Sequence, residues 1–178
     1  MSVRARSLVL VVSVVLLFLS ATWLVAGARA QLAVGPSCAT GGPYEIVAPC
    51  PEHSTSLVLV GMFLSVAVAL GGTFAALSVG APNLVVLHWT LLLGGLGGLF
   101  VVWGLSNDGD VSWSSVLVGL VFLVMAVPGV YLMTPWQRLY RRRRLTEAPL
   151  SRGAWWLVYA VLALVGVVAG GWTAEAWL

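Results

Sequence analysis

Five long apolar runs, none containing Asp, Glu, Lys or Arg, constrain this chain more than any other feature. They cover Ser7 to about Ala26, Ser56 to Val79, Leu84 to Leu105, Trp113 to Met133 and Ala154 to Trp172. A helix crossing the roughly 30 Å hydrocarbon core of a bilayer needs about 20 apolar residues, and each run reaches about that length. Each is apolar all round and lacks the polar stripe that a water-facing helix carries. Barrel strands alternate apolar and polar residues over about ten positions, and these runs do not. The expected fold is all-α: an integral membrane helical bundle of five transmembrane helices, forming a single membrane domain over residues 1–178.

Composition removes the alternatives. Of 178 residues, 60% are hydrophobic and 8% charged, with a mean hydropathy of +1.01. A soluble domain carries about 25% charged residues to cover its outside. A soluble globular domain, a disordered chain and a nucleic-acid-binding module are all excluded on this ground.

The charges that exist are sorted along the chain. All nine basic residues are Arg. Arg4 and Arg6 precede the first run, and Arg138, Arg141, Arg142, Arg143, Arg144 and Arg152 lie between the fourth and fifth. With five alternating crossings these two segments share a side, and the positive-inside bias assigns it to the cytoplasm. The expectation is a multi-pass protein of the cytoplasmic membrane with its N-terminus cytoplasmic and its C-terminus extracytoplasmic. An extracytoplasmic loop then covers 29–55 and a cytoplasmic basic loop covers 134–153. Glu45, Glu52, Asp108, Asp110 and Glu175 fall outside. A rival reading makes the first run a cleaved signal peptide, because Ala28-Arg29-Ala30 fits an A-x-A cleavage pattern and leaves four spans. The run of about 20 residues exceeds the 7–15 of a signal core, which favours a retained helix. Seven of the nine tryptophans (Trp23, Trp103, Trp113, Trp136, Trp155, Trp156 and Trp172) lie near run ends, as an interfacial aromatic belt would place them. Trp89 sits deeper, beside His88.

Four features could carry function. Cys38 and Cys50 share the 29–55 loop, where an oxidising compartment makes a disulfide the first reading. A redox-active pair is less favoured, since eleven residues separate the two and catalytic pairs use C-x-x-C. A metal pair would find only His53 as a third ligand. The segment from Thr134 to Leu145 has an N-cap, a Pro and a Gln spaced as at a helix start, and suggests a short interfacial helix. Its Arg138, Arg141, Arg142, Arg143 and Arg144 are candidates for contact with anionic lipid headgroups or an acidic partner. Gly94 and Gly98, with Gly95 and Gly97 widening their groove, and Gly166 and Gly170 form G-x-x-x-G pairs suited to close helix packing; Ala67, Gly71, Gly72 and Ala76 give similar spacing. His88 is the one ionisable residue within a run. It reads as a packed, hydrogen-bonded histidine near the start of its helix. Pro128-Gly129 predicts a kink in the fourth run. Asp108-Gly109-Asp110 is a turn first and a weak cation candidate second.

No nucleophile elbow, P-loop, zinc-protease or dinucleotide-binding motif is present, and no catalytic residue, metal site or cofactor is expected. The first run, with Cys38-Ala39-Thr40-Gly41-Gly42-Pro43-Tyr44-Glu45-Ile46 and Pro49-Cys50-Pro51, resembles uncharacterised multi-span actinobacterial membrane proteins with a Cys-containing extracytoplasmic loop. That resemblance implies location in the cytoplasmic membrane and no particular activity. The leading functional expectation is a polytopic membrane protein that binds or supports a cell-envelope partner. Its expected contacts are the lipid bilayer and another membrane protein or a second copy of itself, with no nucleic acid. A small-solute or lipid transport component and an envelope thiol-redox protein are the alternatives.

Overall fold

The computed structural model describes residues 3–34, 38, 49–106, 111–144 and 152–178, and for residues 3, 129–144 and 152 the backbone alone. It is all-helical, with five helices: α1 (Val3–Val34), α2 (Ser54–Val79), α3 (Leu84–Leu105), α4 (Trp113–Arg144) and α5 (Arg152–Glu175). α1, α2, α3 and α5 are long and apolar enough to cross a membrane, and α4 has a shorter apolar stretch over Trp113–Pro128. Large apolar side chains point outward on every side, among them Phe63, Phe74, Val124, Leu157 and Leu164. Such a surface needs lipid, not water, around it.

Two helices outrun the sequence-based spans. α1 continues eight residues past Ala26 to Val34, so Ala28-Arg29-Ala30 lies inside an unbroken helix. α4 continues past Met133 to Arg144, with no separate helix starting at Thr134. Gln, Arg and Leu are strong helix formers, and their run from Gln137 onward favours propagation of an existing helix over nucleation of a new one. The helix also passes through Pro128-Gly129.

α1 is the hub. It packs along α2 and α5 and more briefly along α3, while α4 packs on α3. The buried stripe of α1 is Leu10, Ser13, Val14, Leu17, Ser20, Leu24 and Gly27. Those positions recur every three or four residues, as one helix face must. The facing stripe of α2 is Ser54, Leu57, Gly61, Ser65, Ala69, Gly72, Ala76 and Val79. Most of these are small. With no hydrophobic force between helices in lipid, packing contacts must hold them, and small residues let backbones approach. A methyl group built on Gly61 would lie 2.7 Å from the Ser20 carbonyl oxygen, and one on Gly27 would lie 2.6 Å from that of Ser54. Gly166 and Gly170 of α5 sit equally close to α1, at Val15 and Leu19. α3 and α4 meet through Gly97 and Gly119, where a methyl on either would lie under 3 Å from the other's carbonyl oxygen.

The connection between α2 and α3 is a compact corner. Gly80 takes a left-handed conformation (φ 73°), and the N–H groups of Gly80 and Ala81 both donate to the Ala76 carbonyl. A residue with a Cβ is strained at that φ, and Gly is not. Asn83 caps α3 by accepting from the Val85 N–H at 2.8 Å. The Thr73 hydroxyl lies 3.0 Å from Asn83 Oδ1 and accepts from the Val85 N–H at 3.1 Å. Tyr159 of α5 donates to the Pro82 carbonyl at 2.9 Å, which ties the far helix to this corner.

Substitution at the packed glycines should therefore be costly, and at the open ones harmless. Gly61→Leu, Gly97→Leu and Gly166→Leu should each lose about 1–3 kcal/mol or more of stability in a reversible unfolding titration in micelles. Gly71→Leu and Gly98→Leu, where a new Cβ has no atom of another helix within 4 Å, should stay within about 0.5 kcal/mol of the parent.

Candidate functional site

The richest polar and aromatic assembly lies at the end of the bundle where α1 and α5 finish and α2 begins. Cys38 and Cys50 are bonded, with Cα atoms 4.9 Å apart. The bond ties the chain beyond α1 to a point just before Pro51-Glu52-His53, the turn that enters α2. Ser54 closes that turn: its N–H and its hydroxyl both donate to the Pro51 carbonyl, at 3.1 and 2.7 Å. His53 takes a left-handed conformation (φ 60°), an unusual one for a residue with a side chain. Its ring meets Trp177 edge-on at 6.4 Å, and its Nε2 is 3.7 Å from the Glu52 carboxylate.

Trp177 belongs to the tail after α5, which folds back through hydrogen bonds from the Trp177 and Leu178 N–H groups to the Ala174 carbonyl. There it stacks on Trp23 of α1, with ring centroids 6.0 Å apart. Trp23 in turn donates its indole N–H to the Thr173 hydroxyl at 2.7 Å. Gln31, on the extra turns of α1, donates to the Thr55 hydroxyl at 3.2 Å. Three helices are thus cross-tied at this end by side chains, beyond what their packing stripes supply.

The remaining sequence candidates fall as follows. Asp108-Gly109-Asp110 lies outside the described residues. Arg138, Arg141, Arg142, Arg143 and Arg144 lie on the last turns of α4. Gly166 and Gly170 face α1, whereas Gly94 makes only an ordinary contact with Ala126 (3.9 Å) and Gly98 has open space. The close α3–α4 contact falls instead on Gly97 and Gly104, two helical turns apart, with Gly119 opposite Gly97. Among Ala67, Gly71, Gly72 and Ala76, only Gly72 and Ala76 are on the buried stripe.

The tryptophans divide by role. Trp113 and Trp172 are exposed, as belt residues are, but Trp155 is 7% exposed and packs against Tyr159 in the core. Its indole nitrogen is buried with no hydrogen-bond partner among the described residues. Trp89 reaches across to α4 and donates to the Met125 carbonyl at 3.1 Å. An indole N–H in an apolar run needs an acceptor, and the Met125 carbonyl supplies one. The signal available in sequence was an isolated indole donor deep in an apolar run.

His88 differs from the expectation. It makes no hydrogen bond to a described residue, and it stands well inside the bundle. A methyl group on Gly72 would touch both Leu84 and Ser13, so those residues share a level. Ser13 is about 9 Å along α1 from Ser7, and His88 about 6 Å along α3 from Leu84, at 1.5 Å per residue. His88 is therefore about 15 Å or more along from Ser7, well inside an apolar length of about 30 Å. Sequence distance from the helix start misled because α3 begins above the last turns of α2, beside Thr73. With Ser65, Ala21, Leu24, Val25, Leu91 and Leu92, His88 lines a cavity of about 20 Å³ between α1, α2 and α3.

No protein-family model, curated protein or solved structure matches the chain. Among the described residues no three His, Cys, Asp or Glu side chains are grouped so as to hold a metal ion.

The cross-ties give two measurable expectations. In untreated membranes neither cysteine should react with a maleimide, and both should react after reduction; alkylation without reductant would show that the bond does not form. Thr173→Val removes the acceptor for the Trp23 indole and should cost about 1 kcal/mol in unfolding titrations.

Proposed function

We propose that the protein is a membrane-embedded binding partner or scaffold of the cell envelope, presenting the disulfide-tied end outside the cytoplasm. The observation that carries this reading is the assembly of Cys38–Cys50, His53, Trp23, Thr173 and Trp177 at one end of the bundle. A bilayer needs none of these ties, because spanning helices are held by their own packing and by lipid. A disulfide closing a loop of this size restrains it by roughly 3 kcal/mol in the chain-entropy model. A stacked aromatic pair adds about 0.5–1.5 kcal/mol. A surface ordered in advance loses less entropy when it binds. That gives a reason to restrain a segment that faces water.

The arginines support the orientation. Arg4 and Arg6 begin α1 and Arg152 begins α5, at the opposite end from the disulfide. α4 ends in the run Arg141, Arg142, Arg143 and Arg144. By the positive-inside bias that end is cytoplasmic, and its arginines are suited to anionic lipid headgroups, at about 1 kcal/mol each near the surface.

Photo-crosslinking in intact cells tests the reading. A crosslinkable residue replacing Glu52 or Glu175 should give a recurrent adduct of discrete mass. The same residue at Phe74 or Leu164, on the apolar outer surface, should not. Recovery of the monomer alone from Glu52 and Glu175 would contradict the proposal.

A further inference from the structure

We infer that His88 and Ser65 hold an ordered water molecule inside the membrane domain, between α1, α2 and α3. The site is separate from the disulfide-tied end and does not depend on the function proposed for it. Three observations bear on it. The cavity of about 20 Å³ has room for one water, which needs about 10–15 Å³ by the same kind of measure. Its walls carry two side chains that hydrogen-bond, on different helices, among five that do not. Both retain capacity. The imidazole of His88 makes no bond to a described residue, although one ring nitrogen must donate and the other accept when it is neutral. The Ser65 hydroxyl donates to the Met62 carbonyl at 2.8 Å and keeps its oxygen lone pairs free to accept.

An apolar cavity of this size would stay dry, but a polar one in which a histidine lacks a partner would not. Leaving a polar group unpaired in an apolar interior costs about 1–3 kcal/mol, and a bridging water removes most of that cost. The location adds a consequence. α3 meets α1 and α2 more sparingly than it meets α4, so the water lies on the seam between the α3–α4 pair and the rest of the bundle.

The chain has only two histidines, His53 and His88, which makes the site directly readable. In protein labelled at histidine and embedded in lipid nanodiscs, nuclear magnetic resonance should detect magnetisation transfer from water to the His88 ring. His53, half-exposed at the tied end, serves as the internal reference. Ser65→Val fills the cavity and removes the second polar wall, so the His88 transfer should be lost while that of His53 persists. Transfer to His53 alone in the unmodified protein would overturn the inference, and that measurement needs no variant. Transfer to His88 that survives Ser65→Val unchanged would overturn it equally.

Discussion

Close approach of helix backbones across α1 is the interaction on which the rest of this structure depends. In lipid an apolar side chain gains nothing by leaving its surroundings for a neighbouring helix of the same polarity. Contact density decides, and density is highest where side chains are smallest. α1 offers one face to α2 and another to α5, and at Gly27, Gly61, Gly166 and Gly170 the partners come within reach of each other's main chain. The buried faces differ from the outer faces in side-chain volume more than in polarity. Phe63 and Phe74 of α2 look outward while Gly61, Ser65, Ala69 and Gly72 look in. The pattern is therefore invisible to a search for amphipathic stripes.

That distinction explains how much was legible in the sequence. The helical class and the number of helices follow from run length and the absence of charge, which any bilayer-spanning helix must satisfy. The disulfide was legible too, since two cysteines share one loop. Which glycines pack was legible in part: G-x-x-x-G spacing picks Gly166 and Gly170, which do meet α1, and Gly94 and Gly98, where the facing helix selects by rotation and α4 approaches the face carrying Gly97 and Gly104. A spacing rule cannot tell one face of an all-apolar helix from another. Helix ends were missed for a related reason. Hydropathy falls at Arg29 and at Gln137, but helical hydrogen bonding does not need apolar residues, so α1 and α4 run on.

Polar groups then finish what packing begins. Thr73, Asn83 and the Tyr159–Pro82 bond secure the corner between α2 and α3, and Trp89 supplies a donor to α4 near Pro128. At the opposite end Trp23, Thr173, Trp177 and the disulfide bind three helices together. These pairs are distant in sequence and short in reach. Only the tertiary arrangement brings them together, which is why none was foreseen apart from the disulfide. His88 illustrates the converse. It lies near the start of α3, as its neighbours in sequence suggested, and its neighbours in space put that start well inside the bundle.

α1 is the common packing partner of α2 and α5 in this fold, and we propose that it is retained in the mature protein. Ala28-Arg29-Ala30 is helical and continuous with the face that holds α2 and α5, so cleavage there would strip both of their common partner. The N-terminal sequence of the protein purified from its membrane tests this directly. The account predicts a protein that retains Leu10, Val14 and Leu17; a mature chain beginning at Gln31 would contradict it.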